Sequence, residues 1–120
     1  MAHAKVAIVI LAGTDTHESL ARVVNALEAV KEFSEGGDDV RLVFDGAGVA
    51  WVPELLMPEH KLHKLYAAVE DRVAGVCDYC ANAFGVHAAV KSSGTPLSAD
   101  FDGHPSFRQL IASGYQVITF

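Results

Sequence analysis

After its opening lysine, the run Lys5-Val6-Ala7-Ile8-Val9-Ile10-Leu11-Ala12 is continuously apolar and mostly β-branched. Such a run has no polar face to offer water, so it suits a parallel strand covered on both sides. It is far shorter than the ~20 residues a membrane span needs. A parallel strand requires a crossover before the next one, and the chain supplies it. Gly13-Thr14-Asp15-Thr16 breaks the run, and Asp15 and Glu18 stand at capping-box spacing. Leu20, Val23, Val24, Leu27 and Val30 then recur every three or four residues, which predicts an amphipathic helix from about His17 to Phe33. Gly36-Gly37 stops it.

The alternation continues. Val40 to Phe44 reads as the second strand, turning at Asp45-Gly46-Ala47-Gly48. Pro53 and Pro58 limit any helix in the irregular stretch Val49 to Glu59 to a turn or two. A helix is predicted from His60 to about Val73, and a short third strand at Gly75-Val76-Cys77. A helical turn or two from Cys80 to Phe84 ends at Gly85 in a left-handed cap, and a second short helix, about His87 to Ser93, closes at Gly94. Ser98 to Phe101 reads as a brief fourth strand. Pro105 starts the last helix, with Phe107, Leu110 and Ile111 as its buried stripe and Gly114 as its stop. Tyr115 to Phe120 is the final strand.

Strands alternating with helices imply an α/β fold with a mostly parallel sheet and helices on both faces. The 120 residues fit a single domain, 1–120, with no linker or internal repeat.

Composition narrows the function classes. Hydrophobic residues make up 51% of the chain, enough for a core without disulfide staples and too many for disorder. The net charge is −6 and the nine basic residues are scattered, so the electrostatic footprint of nucleic-acid binding is missing. The start, Met1-Ala2-His3-Ala4-Lys5, lacks the pattern of a signal peptide. Two cysteines do not make a secreted disulfide framework. A cytoplasmic protein that binds neither nucleic acid nor membrane is expected.

In open parallel sheets, sites form beyond the carboxyl ends of the strands. Three loops meet that rule: Gly13 to His17, Asp45 to Gly48, and Cys77 to Cys80. The first two offer Gly13, Thr14, His17, Asp45 and Gly46 as candidate binding residues. Against this, His17 also reads as a solvated helix residue, and Asp45-Gly46 as plain turn chemistry. The third loop carries the reactive residue type. A thiol at a helix N-terminus is favoured as thiolate by the helix dipole and unpaired N–H groups. Cys80 is expected to open that helix. Cys77, at the strand end, is expected close enough for a disulfide or sulfur exchange. The opposing reading is that a free cysteine is a small apolar filler.

Zinc is the weaker reading, because one Cys-x-x-Cys supplies two ligands where a structural site needs four. The closely spaced histidines, His60 and His63, belong to a different element, and no metal is expected. A thioredoxin-like dithiol also sits at a strand-to-helix turn, but here two complete strand–helix units precede the motif. Trp51 and Met57 read as core or subunit-contact residues. No glycine-rich phosphate loop occurs, and no cofactor is expected.

Four segments together carry a family resemblance: Val6 to Asp15, the strand end Val43-Phe44-Asp45-Gly46, the turn Cys80-Ala81-Asn82-Ala83-Phe84-Gly85, and the closing Leu110 to Tyr115. In order and spacing they resemble the DsrE/DsrF-like family over nearly the whole chain. The resemblance implies a three-layer α/β/α domain with a five-stranded parallel sheet, assembled as homotrimers or hexamers. It also implies cytoplasmic sulfur handling by a sulfur carrier or sulfurtransferase, with donor and acceptor proteins as partners. The family's cysteine takes a sulfane sulfur as a persulfide; it maps onto Cys80, with Asn82 as the following Asn. Cys77 lies outside that match. Two other functions stand beside it: a non-catalytic oligomeric module that binds a ligand or protein, and a Cys77/Cys80 dithiol redox protein.

Overall fold

The computed structural model describes residues 3–120. Strand β1 (Lys5–Ile10) leads into helix α1 (His17–Glu35), and β2 (Asp39–Phe44) follows. A 3-10 turn over Gly46–Ala50 and helices α2 (Trp51–Leu55) and α3 (His63–Val69) precede β3 (Val73–Cys77). The chain then forms α4 (Asp78–Ala83), α5 (His87–Ser93), β4 (Leu97–Ser98), α6 (Phe107–Ala112) and β5 (Gln116–Thr119). The strands make one parallel sheet in the order β4-β3-β2-β1-β5. The expected three-layer α/β/α architecture is the one observed.

Strand order fixes where the helices go. Each step from β1 to β4 moves one place in the same direction, so right-handed crossovers put α1 to α5 on a common side. The connection from β4 to β5 runs back across the sheet and puts α6 on the other. On the first side, Val6, Ile8, Ile10, Leu42 and Phe44 pack with Val23, Leu27, Val30, Leu55, Tyr66 and Val69, all essentially without solvent contact. The second side is thinner. Ala7, Val9 and Val43 are buried there, but Leu110 and Gln109 of α6 border a cavity of about 220 Å³ shared with Arg41, Val43 and Ala74.

Several local expectations are corrected. The cap of α1 is Thr16, whose Oγ1 accepts the Ser19 N–H at 3.0 Å, not an Asp15–Glu18 box; Glu18 instead pairs with Arg22. The helix expected from His60 starts at His63, since His60 Nδ1 accepts the Leu62 N–H at 3.0 Å and acts before it. Its α-helical part stops at Val69, and a 3-10 turn over Glu70–Arg72 carries it on to Val73, which pairs with Leu42 in the sheet. The fourth strand is Leu97–Ser98 rather than Ser98 to Phe101. In α6 no residue is buried, and Phe107 and Ile111 are 42% and 59% exposed, so the stripe read as core faces largely outward. The final strand is short and mostly exposed. Trp51 is core, and Met57 is exposed.

Candidate functional site: a thiol pair met by Asp45 and His104

The carboxyl ends of β2 and β3 lie side by side, with Phe44 paired to Val76. The residues just past those partners are Asp45 and Cys77. Asp45 is buried, and its Oδ1 accepts the Gly46 N–H at 2.8 Å. Gly48 is needed in the same turn, because a Cβ there would sit 2.1 Å from the Ile10 carbonyl oxygen. The β2 end is thereby pressed against β1, and Asp45 points toward the next strand end.

Helix α4 begins at Asp78, two residues earlier than expected, and its N-cap is Cys77. The Cys77 sulfur accepts the Cys80 N–H at 3.4 Å. The group that meets the first turn's N–H is therefore Cys77, and Cys80 sits one turn inside. Cys77 has no solvent contact, whereas Cys80 is half-buried. Burial, ahead of the opposing backbone hydrogen bond from Cys80, pushes the Cys77 thiol up to about 12. The Cys80 thiol donates toward Asp45 Oδ1 at 3.6 Å.

The fourth group comes from the loop before α6. Phe101 and His104 exchange two backbone hydrogen bonds, 2.9 and 2.8 Å, across Asp102 and Gly103. Both turn residues have positive φ, 49° and 84°. Asp-Gly is the composition that a tight hairpin of this hand demands. A hydrogen bond from Tyr79 N–H to the Gly103 carbonyl, 2.9 Å, ties the hairpin to α4. The His104 ring lies against Tyr79, centroids 4.8 Å apart, and its Nδ1 is 3.2 Å from the Cys77 sulfur. Beside it opens a cleft of about 840 Å³ bordered by Asp45, Phe101, His104, Phe107 and Arg108.

The candidate residues separate cleanly. Cys77, Cys80 and Asp45 come together, and Gly46 supports Asp45 through its N–H. Gly13 and Thr14 do not border the cleft. The Gly13 and Ala12 carbonyls are taken by the Trp51 indole N–H, at 2.9 and 3.0 Å. His17 is an exposed first residue of α1. Asn82 is exposed, and its amide bonds back to the Asp78 carbonyl at 3.2 Å. Sequence reasoning gave His104 no more weight than His17, and the structure sets it beside both thiols and Asp45. The Asp102-Gly103 pair was the available signal, because it folds Phe101 and His104 back on each other.

The site is thus a buried and a half-buried thiol at the strand ends of a parallel α/β domain, within reach of a carboxylate and an imidazole. The chain belongs to the DsrE/DsrF-like family, which it matches over residues 4–120 and which is associated with sulfur relay. It is 31% identical over 96 residues to an uncharacterized protein of Methanocaldococcus jannaschii, covering 80% of this chain and 78% of that one. Its fold is that of a conserved protein of unknown function from Bacteroides thetaiotaomicron, with a TM-score of 0.60, 14% identity, and 95% and 94% of the two chains covered. Among the described residues, no helix is long and apolar enough to cross a membrane.

Proposed function

We propose that this protein is a sulfur carrier, with Cys80 accepting a sulfane sulfur as a persulfide and passing it on. The observation that carries this is the contrast between the two thiols: Cys80 is half-buried at the site, while Cys77 is sealed beneath it. An incoming donor meets Cys80 first. Asp45 Oδ1, 3.6 Å away, is placed to take the Cys80 proton. The thiolate attacks the outer sulfur of a donor persulfide, a bond forms from Cys80 to that sulfur, and the donor's S–S bond breaks. The donor leaves as a thiolate and is protonated by solvent. An acceptor thiolate reverses the sequence, taking the outer sulfur and releasing Cys80. No net oxidation accompanies either step.

Self-association in the cytoplasm belongs to the same proposal. The apolar side chains Phe107 and Ile111 of α6 and Ile118 of β5 are exposed, which favours contact with a second copy. The competing dithiol function rests on the closeness of the two sulfurs, within 4.8 Å.

The test is to incubate the reduced protein with glutathione persulfide and locate added sulfur by fragmentation mass spectrometry. One sulfur should appear on Cys80 and survive in Cys77→Ala. Added sulfur on Cys77 alone, or none on either while a control thiol protein is loaded, rejects the carrier role. Rapid closure to a Cys77–Cys80 disulfide with release of hydrogen sulfide would favour the dithiol function.

A further inference from the structure

Two sulfurs, an imidazole nitrogen and a carboxylate oxygen, from Cys77, Cys80, His104 and Asp45, all lie within 4.8 Å of one another. They arrive from three separate segments: the end of β2, the β3–α4 corner, and the hairpin before α6. Packing alone does not call for such a set, since a buried carboxylate is costly without a compensating charge. Asp45 is buried, yet among the described residues it forms no ion pair with a lysine or arginine. Its partners are the Gly46 N–H and the Cys80 thiol.

We infer that these four side chains form a zinc site, with Zn²⁺ held by Cys77 Sγ, Cys80 Sγ, His104 Nδ1 and an Asp45 carboxylate oxygen. Zinc prefers four ligands in a tetrahedron, and its bonds to S, N and O imply ligand–ligand edges of about 3.3–3.8 Å. The Cys77–His104 and Cys80–Asp45 edges are 3.2 and 3.6 Å. The widest separation, up to 4.8 Å, needs a contraction of about 1 Å to reach that tetrahedron.

The donor set selects the ion. Thiolate and imidazole ligands suit zinc, whereas magnesium and calcium require hard oxygen donors. On binding, the two thiol protons pass to solvent, two S–Zn bonds form, and nothing is oxidised or reduced. All four positions are then filled from the protein, which is the pattern of a site that holds a structure rather than one that activates water. The ion would clamp the His104 hairpin to the ends of β2 and β3.

This inference goes beyond sulfur carriage and does not depend on it, and its test uses no sulfur donor. Reduced, metal-free full-length protein is titrated with Co²⁺ and then with Zn²⁺. The expected result is one ion per chain, with the intense visible bands of tetrahedral cobalt, a thiolate charge-transfer band, and displacement of cobalt by zinc. Zinc should also hide both cysteines from a thiol reagent. His104→Ala and Asp45→Asn should each weaken zinc binding about tenfold or more, with circular dichroism confirming the fold. The wild-type titration stands whether or not a variant folds. Absence of stoichiometric uptake, a weak octahedral cobalt spectrum, or two thiols still titratable in zinc would overturn the site. Unchanged affinity in folded His104→Ala would equally overturn the ligand set.

Discussion

The sulfur of Cys77 and Nδ1 of His104 lie 3.2 Å apart although 27 residues separate them in the chain. The contact is built from both sides. On one side, the start of α4 holds the Cys77 sulfur toward its own first-turn N–H. On the other, a turn of two left-handed residues reverses the chain so that His104 faces the strand ends.

Because Cys77 is sealed and Cys80 is not, the two thiols should differ in rate toward a small alkylating agent. Iodoacetamide on the reduced, metal-free protein should modify Cys80 about tenfold faster or more, since Cys77 reacts only through local opening. Peptide mapping over time reads the ratio. Equal rates would mean that the α4 corner opens freely.

Zinc and sulfur should compete, since both claim the Cys80 sulfur. Protein pre-loaded with one equivalent of zinc should take up little sulfane sulfur from glutathione persulfide, and chelation should restore uptake. Undiminished loading in the presence of bound zinc would place the ion away from Cys80.

The hairpin turn is the weak point of the site. In Gly103→Ala the residue keeps a φ of +84° and its Cβ meets the Tyr79 Cβ at 3.3 Å. Stability should fall by about 1–2 kcal/mol, the cost of left-handed backbone for an L-residue. Zinc affinity should drop more sharply than that of a surface Gly85→Ala control, because His104 moves with the turn. Denaturant titration and zinc competition read the two effects.

Core and edge should respond differently to truncation. Leu27 has no solvent contact, so Leu27→Ala should cost ~2–5 kcal/mol. Leu110 is only partly buried beside a cavity, so Leu110→Ala should cost about 1 kcal/mol. Equal costs in dilute protein would show that α6 is buried in solution, and a concentration dependence would identify a second copy as the cover.

Tyr115 ties the last strand to β2 through a 2.8 Å hydrogen bond to Asp39. Its hydroxyl is raised above the ordinary 10.0, first by burial and then by the Asp39 carboxylate, against the pull of Arg41. A raised tyrosine favours the protonated form in the folded state, so its stabilisation is complete below about pH 10 and is lost as pH rises further. Tyr115→Phe should therefore remove part of the alkaline fall in stability. Denaturation midpoints across that range read the difference, and parallel curves would contradict it.

Much of the architecture was legible because it rests on short-range pattern. The unbroken apolar run of β1, the spacing of Leu20 to Val30, and Gly94 at the end of α5 each carry their own signal. Capping was less so: Asp15 and Thr16 are both capable oxygens, and only the backbone angle at Thr16 decides between them. The stripe Phe107, Leu110, Ile111 has helical spacing, but spacing does not say whether anything lies beneath it. The site was half legible for a similar reason. Cys77 and Cys80 announce themselves by closeness in sequence, whereas His104 joins them through a turn and a tertiary contact.

The sheet order β4-β3-β2-β1-β5 also sets a timetable for synthesis. Strand β1 is made well before the partner for its outer edge, which pairs Val6 with Gln116 and Val9 with Thr119. At ~5–20 residues per second, that edge waits roughly 5–20 s on the ribosome. Through that interval an apolar strand has unsatisfied backbone groups along one side, the arrangement that invites wrong pairing. His104 follows Cys77 by 27 positions, so the thiols of a nascent chain wait only roughly 1–5 s at that rate for their imidazole.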